Sequence, residues 1–284
     1  MTLLNQIIWD VSPEIFPSWG LPVRWYGLLF ASAFIVGQWI LTRIYKAEGR
    51  TEQDVDIITL YMIVGTVVGA RLGHTLFYAP GYYLSNPIEI LKIWEGGLAS
   101  HGATIGILLA LYLFSRKYKF NYLWVLDRIV IVVAAGGALI RLGNLMNSEI
   151  FGRPTDLPWG FVFVRQQEFS HVPRHPTQLY ESLFAFLLFV VLYWLWKQRK
   201  SLLPQCMLFG LFVTFLFTFR FLVEFLKEPQ EAFEAEMVLN MGQLLSIPLI
   251  IAGLIVLYWS IKRPRPALPK EDPAGTPKVE KRVK

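Results

Sequence analysis

Seven apolar stretches, at about 21–42, 55–77, 97–115, 124–146, 177–196, 204–224 and 239–261, dominate this 284-residue sequence. Each approaches the roughly 20 residues an α-helix needs to cross the hydrocarbon of a bilayer. In lipid, backbone polar groups are satisfied only inside helices or closed barrels. The chain therefore reads as an all-α polytopic membrane protein with seven transmembrane helices in one unit, 21–261. Composition agrees: 17% of residues are charged, against about a quarter in soluble domains.

Basic residues alternate with the stretches. Arg43, Lys46 and Arg50 follow the first, Arg116, Lys117 and Lys119 the third, and Lys197, Arg199 and Lys200 the fifth. The opposite side holds six in all: Arg24, Lys92, Arg153, Arg165, Arg174 and Lys227. The positive-inside rule then predicts an outer N-terminus and a cytoplasmic C-terminus. This bias accounts for the net charge of +6 without nucleic acid. Residues 1–20 contain Asp10 and Glu14 and lack a basic leader, so they make a poor cleavable signal. Trp9, Phe16 and Trp19 read instead as an interfacial lead-in. The longest outer loop, 147–176, holds a β-like run at Phe161–Val164 and reads as a small cap on the membrane. The tail 262–284, rich in lysine, glutamate and proline, reads as disordered. The single cysteine, Cys206, excludes an internal disulfide and reads as a small buried residue. No Cys/His cluster implies a metal, and no cofactor is implied.

Charges inside spanning helices cost roughly 2.5–3.5 kcal/mol each at the centre and mark functional sites. Here they gather at one end of the bundle. Arg24 and Tyr26 open the first stretch, His101 the third, and Gln178, Tyr180 and Glu181 the fifth. Arg71, Arg141, Asn144, Arg220 and Glu224 lie near the outer ends of the second, fourth and sixth. Arg141, Asn144 and Ser148 follow an i, i+3, i+7 rhythm, which predicts one helix face. Asn147 and Glu149 fall where that helix is expected to end. Gly96, Gly97, Gly102 and Gly106 flank His101 and permit close approach of a helix or a ligand. Asp127 and Arg128 are the exception, near the other end of the fourth stretch, and are expected to pair or snorkel there. The cytoplasmic halves otherwise read as nearly wholly apolar. Several arginines at headgroup depth need an anion, and the planar guanidinium fork matches phosphate oxygens. The residues alone predict an outer-leaflet site for an anionic lipid or similar amphiphile, with an anion transporter and a lipid-binding scaffold as competing classes.

The run Arg141-Leu142-Gly143-Asn144-Leu145-Met146-Asn147-Ser148-Glu149, followed by Gly152-Arg153, resembles the signature of the prolipoprotein diacylglyceryl transferase family. Further blocks resemble that family in the same order: Arg24–Leu28, Gly69–Gly73, Trp94–Gly102, Arg174–Glu181, Arg220–Phe225 and Met241–Pro248. The sequence departs from the pattern at Ile140 and Ser148, where glycine is usual, at Ala103, and at Leu216, where tyrosine is frequent. The resemblance implies an enzyme of the bacterial inner membrane with its active site facing the periplasm. Its substrates would be phosphatidylglycerol and a prolipoprotein signal peptide bearing a lipobox cysteine. Set in that reaction, Arg141 and Arg220 are expected to hold the phosphate and His101 to accept the thiol proton. Tyr26, Arg71, Asn144, Asn147, Glu149, Gly152, Gln178 and Glu224 are expected to contact the lipid or orient the arginines. His74, His171 and His175 read as structural.

Overall fold

The structure, a computed structural model, describes residues 6–17, 23–93, 96–169, 171–228 and 237–262. Trp19, Trp94, Glu95 and the tail beyond Lys262 lie outside the described residues. Among the described residues, seven long helices follow in order: α1 (Trp25–Ala47), α2 (Glu52–Phe77), α4 (Ser100–Tyr118), α5 (Tyr122–Met146), α6 (Thr177–Arg199), α7 (Met207–Val223) and α8 (Met241–Lys262). A short α3 (Pro80–Ser85) sits between α2 and α4. Six of the long helices are apolar and long enough to span a bilayer, and α4 is not among them. Gly96 and Gly97 have φ of 91° and 71°, left-handed conformations that a helix cannot contain, so α4 starts only at Ser100. Its 19 residues rise about 28 Å, and polar residues occupy both ends.

Local chemistry sets the other boundaries. Thr51 and Asp54 form a reciprocal capping box at the start of α2, and the Asn121 side chain accepts from Leu123 and Trp124 at the start of α5. The apolar run at 204 does not become helix until Met207, because Cys206 takes a left-handed conformation with φ 65°. Asp127 supplies the missing cap, accepting from the Cys206 N–H at 2.7 Å and the Phe209 N–H at 2.9 Å.

Helix α5 is the hub. Some 67% of its apolar stretch is buried inside the protein, against 33% or less for each other spanning helix. Its residues Val125, Ile129 and Ile131 pack with Ile44 and Tyr45 of α1, Leu192 and Trp196 of α6, and Leu208 of α7 in one cluster. Helices α2 and α4 form a second, tighter seam built on glycine. A Cβ placed at Gly65 would fall 2.7 Å from the Gly106 carbonyl oxygen, one at Gly69 2.5 Å from that of Gly102, and one at Gly73 2.7 Å from the Gly102 Cα. Small residues give apolar helices in lipid close van der Waals contact where no hydrophobic effect drives them together. Gly106→Val is expected to destabilise the protein by at least the roughly 1–3 kcal/mol of an overpacked site, because backbone, not a flexible side chain, stands in the way. Gly27→Ala, where nothing lies within 4 Å, is the control and should be neutral. Thermal unfolding in detergent compares the two.

At the Tyr122 end of α5, Asp127 and Arg128 pair at 3.8 Å, with side chains 1% and 3% exposed, and do not snorkel. Glu48, at the end of α1, receives the Arg128 guanidinium at 2.8–3.2 Å and the indole N–H groups of Trp124 and Trp196 at 2.9 and 2.6 Å. This layer ties α1, α5 and α6 together.

Residues 147–169 and 171–176 fold over the other end of α5. Phe161–Phe163 (β2) pairs in parallel with Ile7–Trp9 (β1), and Phe161 and Phe163 pack with Leu145. Trp9 is therefore part of this cap, its indole donating to the Leu145 carbonyl at 3.1 Å.

Candidate active site

Four elements meet where α5 ends. Arg141, one turn and a half before the end, donates to the Asn144 Oδ1 at 3.1 Å. Its Nε lies 3.1 Å from a carboxylate oxygen of Glu181 on α6, in a misaligned ion pair that leaves that oxygen without a hydrogen bond. The other Glu181 oxygen accepts from Lys227 Nζ at 2.9 Å, and Lys227 also reaches Glu224 at 3.0 Å. Glu224 accepts from the Asn240 amide at 3.2 Å and stands 3.9 Å from Arg220 Nε on α7. Guanidinium, carboxylate, ammonium, carboxylate and guanidinium thus alternate through α5, α6 and the end of α7. The interior members are buried, with Lys227 at 2% and both carboxylates at 8% side-chain exposure, whereas Arg141 and Arg220 are 24% and 40% exposed. Among the described residues, neither arginine has an ion partner beyond this chain.

The turn after α5 braces this line. Asn147 caps the helix, and Ser148 and Ile150 take φ of 53° and 59°, left-handed values uncommon for residues other than glycine. Ser148 is therefore off the helix face that its i+7 spacing predicted, and it stands where glycine would adopt the same turn without strain. The Glu149 carboxylate accepts from Asn144 at 2.8 Å and Asn147 at 3.3 Å. Its backbone oxygen accepts from Gln178 at 2.6 Å. Tyr26 lies against Gly143, where a Cβ would come within 2.9 Å of its ring, near enough to Glu149 and Arg141 to feel both charges.

Other expected site residues are placed differently. Arg71 is buried, and its described hydrogen bonds run to the backbone carbonyls of Glu89, Ile90, Gly96 and Gly97. Its guanidinium also stacks over Tyr83, so it pins the loop between α2 and α4 and offers no fork to a phosphate. Gly152 is a packing joint: a Cβ there would meet the Leu226 carbonyl, His175 and Thr177 at 2.5–2.8 Å. Gln178 is fully buried and holds the Glu149 turn. His101 is exposed at the start of α4, with Phe77 and Tyr78 as its ring neighbours; no contact among the described residues joins it to the two arginines. An apolar groove between α2 and α4, lined by Val64, Val68, Leu72, Ile105 and Leu109, ends beside it at Phe77. His175 sits in the cap, 3.2 Å from the Tyr180 hydroxyl, and burial holds its pKa below the usual histidine value. Burial thus favours its neutral form.

The sequence places Glu181 in this polar cluster without giving it a role, and Lys227 reads there only as a loop charge, although its i+3 spacing from Glu224 is a signal.

A helical bundle in which six helices are long and apolar enough to span is a polytopic membrane protein, and its alternating charge line ends in two partly exposed guanidiniums. Residues 13–259 match the family model described as prolipoprotein diacylglyceryl transferase, and the chain belongs to that family. Proteins named phosphatidylglycerol--prolipoprotein diacylglyceryl transferase are similar along nearly their whole length. The Tolumonas auensis protein is 48% identical, over 90% of this chain and 98% of its own. That of Porphyromonas gingivalis is 47% identical, over 93% and 98%, and that of Chloroherpeton thalassium 45%, over 93% and 97%.

Proposed function

We propose that this chain transfers the sn-1,2-diacylglyceryl group of phosphatidylglycerol to the lipobox cysteine thiol of a prolipoprotein signal peptide. The reaction is the first step of bacterial lipoprotein maturation. Family membership supports the substrates. The observation that carries the reading is the charge line: three cations against two carboxylates. Its two partly exposed members are both guanidiniums, and the guanidinium fork suits phosphate oxygens.

The thiolate sulfur attacks the glyceryl carbon, the carbon–oxygen bond breaks, and glycerol phosphate leaves with the bonding electrons. Its phosphate gains charge as it departs, so Arg141 and Arg220 bind the transition state more tightly than the ground state. Asn144, Asn147 and Glu149 fix the Arg141 side of the site, with Tyr26 alongside. His101 accepts the thiol proton at the α4 rim. In this reading all seven long helices cross the inner membrane, with the N-terminus periplasmic, the C-terminus cytoplasmic and the site facing the periplasm, as the basic loops support.

Purified protein mixed with phosphatidylglycerol vesicles and a lipobox peptide should yield a thioether-linked diacylglyceryl peptide by mass spectrometry, and a Cys→Ser peptide should yield none. Lipid binding without product would make the protein a scaffold, and anion flux in proteoliposomes would make it a transporter. His101→Gln is expected to lower turnover about 10²–10⁴-fold at neutral pH. The deficit should shrink as pH rises toward the thiol's own titration near 8.5. A deficit independent of pH would remove His101 from proton transfer.

A further inference from the structure

We infer that Lys227 is a positioning residue that keeps the two carboxylates from closing onto the two arginines. The inference rests on the phosphate reading above and goes beyond it by assigning the group that sets guanidinium availability. Two arginines beside two glutamates would ordinarily collapse into forked pairs, each guanidinium giving two parallel bonds to its carboxylate. That has not happened here. Lys227 Nζ occupies one oxygen of Glu181 at 2.9 Å and one of Glu224 at 3.0 Å. Toward these carboxylates, among the described residues, Arg141 is left with a single misaligned contact at 3.1 Å and Arg220 with one at 3.9 Å.

The lysine is held for this role from both ends. Its backbone N–H donates to the Glu224 carbonyl at 3.3 Å, and its own carbonyl accepts from Arg153 Nε at 3.1 Å. Gly152 bridges to it across the cap. Its 2% exposure keeps it away from any ligand, so it acts through the arginines and does not touch the substrate. An ammonium is a compact point charge with three donors, which lets one cation serve two carboxylates from different helices. Glu224 has little room to swing elsewhere, since Gly242 abuts it so closely that a Cβ would fall 2.6 Å from the carboxyl carbon.

The test compares wild type, Lys227→Met, Lys227→Arg and the triple variant Glu181→Gln/Lys227→Met/Glu224→Gln in the thioether assay, with KM for phosphatidylglycerol and kcat separated. Lys227→Met should lose about 10²–10³-fold in kcat/KM, comparable to removing one transition-state donor, and should raise KM. Lys227→Arg keeps the charge in a bulkier group and should retain more activity than Lys227→Met but less than wild type. The triple variant removes the buried charges as a set, a change that folded proteins often tolerate. It should recover at least about tenfold of the loss, because no carboxylate remains to seize the arginines. A triple variant as inactive as Lys227→Met, or a fully active Lys227→Met, overturns the inference. Wild type without thioether product would instead overturn the reaction assignment, so the two failures are distinct.

Discussion

Arg220→Gln is expected to lower turnover by on the order of 10³-fold while leaving the unfolding temperature nearly unchanged. The two halves of that expectation come from one geometry. Arg220 is 40% exposed, and its one ion pair among the described residues is 3.9 Å long; pairs of this kind contribute about 0–1 kcal/mol to stability. Little fold stability is lost with it. Its open guanidinium nitrogens are where the account places a phosphate, so the reaction loses a cation at the point where negative charge grows. Arg141→Gln should reduce turnover as strongly, with a somewhat larger effect on stability, because Glu181 and Asn144 both lose a partner. Lysine at either position keeps the charge and loses the fork, and should recover only part of the rate. Steady-state kinetics resolve the kind of loss. A fall in kcat marks an interaction made mainly in the transition state, whereas a rise in KM alone would mark uniform lipid binding. A glutamine variant with wild-type kcat/KM would remove that arginine from the site.

Glu48→Ala carries the largest expected effect on stability, and it lies at the other end of α5 from the arginines. The Glu48 and Arg128 side chains are each 3% exposed. Alanine would strand a buried guanidinium and two indole donors, from Trp124 and Trp196. Removing one partner of a buried ion pair costs roughly 3–5 kcal/mol. Unfolding in mixed micelles measures this directly. The double variant Glu48→Met/Arg128→Met, which removes both charges, should recover roughly half or more of the loss. If Glu48→Ala unfolds at the wild-type midpoint, the layer does not hold the bundle together. Since Asp127 in the same layer caps α7, a loosened layer should also disturb the helix carrying Arg220.

Helical periodicity and apolar length made much of this legible from sequence. The long helices were visible as apolar runs, and Arg141 and Asn144 lie three apart, so their contact follows from helix geometry. What stayed hidden depended on partners distant in sequence. Arg71 looked like one more phosphate ligand because the carbonyls that occupy it lie 18–26 residues away, on a loop with no regular spacing. Glu48 meets indole donors 76 and 148 residues distant, which no local spacing reveals. Lys227 looked like a rim charge until Glu181, 46 residues away, closed over it. The left-handed Ser148 broke a spacing argument that assumed the helix continued. Periodicity reports the face of one element and is silent on which neighbour meets it.

The central claim is that guanidiniums from α5 and α7 grip the same phospholipid phosphate. Dipolar coupling between ¹⁵N-labelled arginine side chains and ³¹P, measured by solid-state NMR on protein reconstituted in phosphatidylglycerol, tests it without relying on turnover. The account predicts coupling at distances of about 4 Å, as expected for charge-assisted hydrogen bonds, which Arg141→Gln and Arg220→Gln each weaken and the double variant abolishes. A bound phosphate coupled to neither residue, or coupling that survives the double variant, would contradict it.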